Sequence, residues 1–337
     1  MFSRFSLFWM LIALVVVEGT HAADTFTNPI APAGADPWMI RHGDDYFLVQ
    51  SHGGREICVG RAANPVDIGK HRWVTVWTPP SSGPYARQIW APELHYLQDK
   101  WYVYFAADDG NNVHHRIYVL EGTSQNPQDP FVFRGELKLP DDRWAIDGSL
   151  FTWSNRLYFI WSGWAGTSNV DQRIYITELA DPLTPTGKRA CISVPQYAWE
   201  KRDGPPWVNE GPEALRHGGR LFIIYSASGS WADNYCLGQL AFTGGDPLRP
   251  ESWIKKPEPV FCRTRDVYGP GHCCFVKSPD GTEDWIIYHA AKYSGAGWNR
   301  DLRAQKFTWQ ADGSPDFGTP VSAGVPLPRP ASAIQRP

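Results

Sequence analysis

The chain has 337 residues, with 32 Lys and Arg against 35 Asp and Glu and a formal net charge of −3. Charge this balanced, with no basic run, argues against nucleic acid or an anionic membrane as a partner. The length is enough for one large core, and 17 Trp are available both to pack between sheets and to face sugar rings.

The first segment reads as a secretory signal. Arg4 supplies a positive start, Phe5–Val17 is apolar, and small residues follow through Gly19, Ala22 and Ala23. Residues 1–22 are assigned to this signal, with cleavage near Ala22 or Ala23 and an expected secreted, extracellular location. The apolar stretch is short for a membrane span of about 20 residues, and no later stretch is a candidate. The six cysteines, Cys58, Cys191, Cys236, Cys262, Cys273 and Cys274, permit disulfides in a secreted protein, and at most two bridges are expected. The chain contains no Asn-x-Ser/Thr sequon.

From there one pattern recurs five times. The hydrophobic runs are Asp45–Ser51, Lys100–Ala107, Arg156–Ser162, Arg220–Ala227 and Asp284–Ala291. Their equivalent residues Tyr46, Tyr102, Tyr158, Phe222 and Ile286 lie 56, 56, 64 and 64 residues apart. A further strand follows each run, beginning at Glu56, Arg116, Arg173, Tyr235 and Leu302. Weaker fourth strands begin at Trp73, Phe131, Ala190 and Pro257. Turn signals such as Gly43-Asp44 and Ser278-Pro279-Asp280-Gly281 separate them.

Short strands repeating near this period predict an all-β, five-bladed β-propeller. A two-sheet sandwich is disfavoured because the internal order of the unit survives in all five copies. The propeller is expected to occupy 23–324 as one catalytic domain. The Pro-rich end, 325–337, reads as a tail lying on the barrel or loose in solvent.

Just upstream of the five runs stand Asp36, Glu93, Asp147, Glu210 and His272, at similar places in successive units. Innermost propeller strands converge on one axis, so these residues should share a pocket. Glycosidic hydrolysis needs two carboxyls in different protonation states, one protonating the leaving oxygen and one activating water or attacking the sugar. A third carboxylate nearby can raise the acid's pKa by repulsion. Singly these acids mean little, since Asp36-Pro37 and Asp147-Gly148 are also ordinary turn pairs. Their recurrence is what marks them.

The motifs Ala35-Asp36-Pro37-Trp38, Trp90-Ala91-Pro92-Glu93, Ile146-Asp147-Gly148, Val208-Asn209-Glu210-Gly211-Pro212 and Tyr268-Gly269-Pro270-Gly271-His272, taken in order, resemble those of glycoside hydrolase family 43. The resemblance implies a five-bladed propeller acting on arabinose- and xylose-containing polysaccharides with inversion. It implies Asp36 as general base, Glu210 as general acid, and Asp147 as the residue that raises and orients Glu210. Within the family, the stretches around Glu93, Glu210, Tyr235 and His272 look most like extracellular exo-1,5-α-L-arabinofuranosidases. Two departures stand out. Relatives often carry Ala-Thr where this chain has Gly148-Ser149, and the segment between His289 and Arg303 is short.

By the same resemblance, His272 would hold a water-rich Ca²⁺ or Na⁺ in the central channel, with no redox or organic cofactor required. Glu93 receives no catalytic role, and Glu213 falls on the opposite side of the strand from Glu210. Trp90, Trp161 and Trp164 are candidate sugar-facing walls, and Arg303 is a candidate hydrogen-bond donor to a sugar hydroxyl or a catalytic carboxylate. The loop Trp164–Asp171 and the segment Tyr293–Asp301 are expected to block the pocket beyond one sugar. The expected substrate is α-1,5-linked arabinan or its oligosaccharides, attacked from the end by a monomer. Alternatives on the same site are β-xylosidase, endo-arabinanase or arabinoxylan arabinofuranohydrolase activity, or a non-catalytic sugar-binding propeller. The Asn-Asp-Pro-Asn and Arg-Asp-Pro signatures of retaining fructan hydrolases are missing.

Overall fold

The computed structural model describes residues 24–332. The expected signal, 1–22, and the last five residues of the tail lie outside the described residues. Among the described residues, no helix is long and apolar enough to cross a membrane.

The fold is a five-bladed β-propeller, each blade a four-stranded antiparallel sheet in simple up-and-down order. Blade I comprises Trp38–His42, Asp45–His52, Glu56–Ala62 and Val74–Trp77, and blade II Arg87–Leu97, Lys100–Asp108, Arg116–Gly122 and Phe131–Glu136. Blade III comprises Ala145–Trp153, Arg156–Trp164, Gln172–Asp181 and Thr184–Ser193, and blade IV Asn209–His217, Arg220–Ala227, Cys236–Phe242 and Trp253–Lys255. Blade V comprises Tyr268–Lys277, Asp284–Ala291, Arg300–Trp309 and the two-residue Pro315–Asp316. The five recurrent runs are therefore the second strands. Tight hairpins join them to the inner strands. Gln98-Asp99, Ser154-Asn155 and Gly218-Gly219 each place two consecutive residues at positive φ, as two-residue loops that match strand twist require.

The fourth strand of blade IV is Trp253–Lys255 rather than a strand begun at Pro257. Pro257 and Pro259 lack the N–H a ladder needs, and only Phe261 returns to bridge Leu237.

Five apolar clusters fill the five gaps between neighbouring blades. Val49, Trp101 and Phe105 join blades I and II, and Tyr158, Ile176 and Tyr225 join III and IV. Tyr46, Leu48 and Ile287 close the ring between I and V. Each such side chain, fully buried, contributes about 1.5–3 kcal/mol, so the interblade seams rather than the sheet ladders hold the ring. All six cysteines are free, with Cys58 and Cys236 buried and Cys273 and Cys274 buried within these seams.

Among the described residues, no blade borrows a strand from the other end of the chain. Closure is made outside the blades, where Thr25–Thr27 pairs antiparallel with Pro326–Pro328. The Asn28 side-chain amide donates to Ala304 O and accepts from Ala304 N, both at 2.9 Å, on blade V. Arg329 pairs with Asp24 and Asp67. The beginning of the Pro-rich segment is thus an edge strand in a clasp across blades I and V.

Candidate active site

The inner strands do not run straight to the axis. Each is preceded or interrupted at its axial end by a residue at positive φ: Asp36 (49°), Ala91 (42°), Asp147 (54°), Gly211 (53°) and His272 (43°). Pairing registers slip at the same points, between Ile146 and Ser149, Glu210 and Glu213, and Trp90 and Glu93. Such bulges re-aim side chains. They also correct the simple equivalence of the five leading residues. Asp147 and His272 occupy the bulge position itself, and Asp36, at a similar positive φ, stands two residues before the inner strand of blade I begins at Trp38. Glu210 precedes it, matching Trp90 and Ile146. Glu93 lies two residues beyond it, matching Glu213 and Ser149. The spacing carries a trace of this, since Glu93, Asp147 and Glu210 stand 9, 11 and 12 residues before Tyr102, Tyr158 and Phe222.

The bulge also accounts for the Gly148-Ser149 departure. A Cβ on Gly148 would sit 2.2 Å from Phe159 Cζ, so the ring on the next strand requires glycine there. Ser149 Oγ donates to Glu213 Oε2 at 3.3 Å. On blade IV, a Cβ at Gly211 would lie 3.1 Å from the His272 ring on top of an unfavourable φ.

These ends open into a cleft of about 550 Å³ lined by Asp36, Asp147, Glu210, Trp90, His272 and Arg300, with Trp144, Trp231 and Trp298 among the walls. The three expected acids, together with His272 and Trp90, are therefore brought together. Asn169, from the loop after Trp164, and Trp298 and Arg300, from the short segment after Tyr293, also border it.

Asp36 is surrounded by nitrogen. Its Oδ1 lies 3.2 Å from His272 Nδ1, 3.3 Å from His289 Nδ1 and 3.4 Å from Arg300 Nη1. Its backbone N–H donates to His289 Nδ1 at 3.0 Å. That bond requires an acceptor nitrogen, so His289 is the neutral Nε2–H tautomer. Burial, reinforced by Arg300, holds His289 down to about 3. Burial likewise lowers His272, against the pull of Asp36. Burial alone would raise Asp36, but His272 and His289, in their protonated forms at low pH, together with Arg300 outweigh it and hold the carboxyl well below its usual range. With both imidazoles neutral at pH 7, Arg300 is the permanent cation beside it.

Glu210 meets the opposite environment. It is buried, and its Oε1 accepts a 2.8 Å bond from Tyr235 Oη. Burial raises its carboxyl to about 7, with the Tyr235 bond working against the rise and the Asp36 charge adding to it. Asp147 Oδ2 accepts from Gly211 N at 3.0 Å, gripping the strand at the residue after Glu210. Burial and repulsion by Glu210 raise Asp147 well above the carboxylate range. Two buried carboxyls that repel each other retain a shared proton at neutral pH.

Behind Glu210 lies a buried node. Asn209 donates to Glu200 Oε1 at 3.0 Å, and Lys255 Nζ reaches the same oxygen at 2.6 Å. Tyr225 Oη donates there at 2.9 Å, and Ser193 Oγ donates to Asn209 Oδ1 at 2.7 Å. The backbone that presents Glu210 is thereby fixed from the rear.

Three expected wall and donor residues lie elsewhere. Trp161 is fully buried on the second strand of blade III, opposite Tyr175. Trp164 is buried too, stacked at 4.7 Å on Trp144, which faces the cleft in its place. Arg303 is buried in a 2.7 Å pair with Asp301. It follows Arg300 by three residues, so it faces the other side of the strand and lies about 10 Å further along it. It is Arg300, not Arg303, that lines the cleft and reaches a carboxylate there, that of Asp36. Glu93 and Glu213 are buried below the cleft, Glu93 bonded to His95 Nε2 at 2.9 Å, and burial with Glu93 beside it raises Glu213 well above its usual value.

A family model described as glycosyl hydrolases family 43 matches residues 26–315. The extracellular exo-α-(1→5)-L-arabinofuranosidase of Streptomyces avermitilis is 37% identical over 89% of this chain, and the alignment spans 65% of that relative's length. Its namesake from Streptomyces chartreusis is 35% identical, with 83% of this chain and 88% of the relative covered. Among solved structures, an α-L-arabinofuranosidase from Lactobacillus brevis matches with a TM-score of 0.84 at 33% identity, covering 89% of this chain and 98% of that one.

Proposed function

The chain belongs to glycosyl hydrolases family 43, and from that premise we propose that it is a secreted, monomeric exo-α-L-arabinofuranosidase. It releases single L-arabinofuranose units from α-1,5-linked arabinan ends with inversion. The observation that carries the mechanism is the opposite protonation of two carboxyls in one cleft, Asp36 held ionised and Glu210 raised to about 7. An ionised carboxylate accepts the proton of an attacking water, and a neutral one delivers a proton to the leaving oxygen. Asp36 is the base, Glu210 the acid, and Asp147 holds the acid's strand and shares its proton.

The α-1,5 linkage and the exo direction rest on the two Streptomyces relatives, with support from Asn169 and Trp298 at the cleft border. Secretion rests on the signal-like 1–22 segment and the extracellular naming of the same relatives. Among the described residues, the only group of three metal-ligating side chains in mutual reach is His52, Glu56 and Cys58. His272 offers one imidazole, so a channel Ca²⁺ or Na⁺ would be held there mainly through water. The acid–base chemistry needs only the two carboxyls and water.

The test is NMR of the first product from aryl α-L-arabinofuranoside, together with product analysis on debranched arabinan. Inversion with arabinose appearing from the start is expected. A retained anomer would remove the base and acid assignment. Early oligosaccharides would indicate an endo-arabinanase, and preferential release of xylose a β-xylosidase. Asp36→Ala should abolish turnover on all substrates, while Glu210→Ala should spare those with good leaving groups.

A further inference from the structure

We propose that Trp298, with Trp231 beside it, forms the subsite for the second sugar of the arabinan chain, the unit that becomes the leaving group. The inference rests on the function proposed above. Trp298 is 69% exposed, an unusual state for an indole at a pocket mouth. It is nevertheless held in place. Its Nε1 donates to Ser230 Oγ at 3.3 Å, and the Ser230 carbonyl accepts from Arg300. Arg300 in turn contacts Asp36, so the exposed ring is tied through two residues to the proposed base.

The loop that carries Trp298 is built rather than slack. Gly295 and Gly297 turn it at positive φ. Asp233 anchors it, accepting from Gly295 N at 2.9 Å and from Ser294 Oγ at 2.5 Å. Trp231 is half-buried, its ring folded over Gly229, and its carbonyl lies 3.6 Å from where a Cβ on Gly297 would sit. The two indoles thus belong to adjoining loops on the rim over blades IV and V. Glu210 is on blade IV, and the sugar that accepts its proton must leave on that side. Trp90 and Trp144 line the cleft from blades II and III. An exposed, tethered aromatic face suits the apolar C–H face of a furanose ring, which neither a charged peptide nor a phosphate would offer.

The test compares methyl α-L-arabinofuranoside, which fills only the first subsite, with α-1,5-arabinobiose. In Trp298→Ala, the ratio of kcat/KM for arabinobiose to that for the methyl glycoside should fall at least about tenfold, the scale of one lost apolar contact in a pocket. Trp298→Phe, which keeps a flat apolar face, should recover part of the ratio. An unchanged ratio in Trp298→Ala would overturn the subsite, whatever the absolute rates, because it means the indole serves the first sugar or the fold. If the parent enzyme turns over neither substrate, the function proposed above fails and the subsite with it.

Discussion

The Tyr235 hydroxyl donates a 2.8 Å hydrogen bond to Oε1 of Glu210, in a site where burial has raised that carboxyl to about 7. The two influences oppose each other, since a donor to the carboxylate favours its charged form. Tyr235→Phe removes the donor and keeps the ring. The Glu210 pKa should rise, the acid should stay protonated to higher pH, and the basic limb of kcat/KM should move upward. A pH–rate profile on arabinobiose reads this, and a limb that stays or moves down contradicts it.

Arg300 acts on the other limb. It is the permanent positive charge beside Asp36. Arg300→Gln should raise the Asp36 pKa, so the base protonates at higher pH and the acidic limb moves upward. The same variant loses the bond to Ser230 O, so KM for arabinobiose should rise as well. An acidic limb identical to the parent's would show that the imidazoles alone control Asp36.

Asp147→Asn keeps an oxygen for the Gly211 N–H and deletes one ionisable partner from the coupled pair. With a single carboxyl left, the shared proton is lost in one step at lower pH, so the basic limb should move downward. Asp147→Ala should additionally lower kcat at every pH because the strand loses its grip. A fully active Asp147→Asn enzyme with an unchanged profile would deny Asp147 any part in the acid's titration.

Lys255→Met leaves the Glu200 carboxylate buried without its cation. Removing one partner of a buried pair costs about 3–5 kcal/mol, and both side chains here are nearly inaccessible. Burial works to raise Glu200, but Lys255 and the hydrogen bonds hold it below its usual value. Its contribution is therefore present above the unfolded carboxylate pKa and lost as pH falls through the folded one. The urea midpoint at pH 7 should drop sharply, and the loss should shrink at low pH. Glu200→Gln/Lys255→Met should recover part of it. An unaltered midpoint in the single variant would show the node to be energetically idle.

The blades were legible because their second strands are uninterrupted apolar runs at a steady period. The clasp was not, since Pro326–Pro328 reads as a breaker until a partner supplies the other edge. The three acids and His272 were legible because each leads a motif at the axial end of a blade. Their depths were written only as differences of a few residues in distance from the second strand, which carry no meaning until the bulge is placed. Tyr235, His289 and Arg300 carry no such mark, because they approach from second and third strands and the loop before a third, where the apolar pattern recurs but no polar residue recurs at one place. The tryptophans misled for a related reason. Trp161, Trp164 and Trp144 are chemically alike, and only the direction each strand faces decides that the last meets the cleft.

The clasp has a consequence for the order in which the blades are strung. Arg329 N donates to Asp24 O at 3.1 Å, so the two extremities of the propeller already touch, and every blade is a contiguous piece of chain. The ring therefore has no topological first blade. A short Gly/Ser bridge joining residues 329 and 24, with a new opening cut in the exposed hairpin at Gly218-Gly219, should give a permuted chain whose cleft is intact, with the last three strands of blade IV leading and the acid-bearing strand Asn209–His217 last.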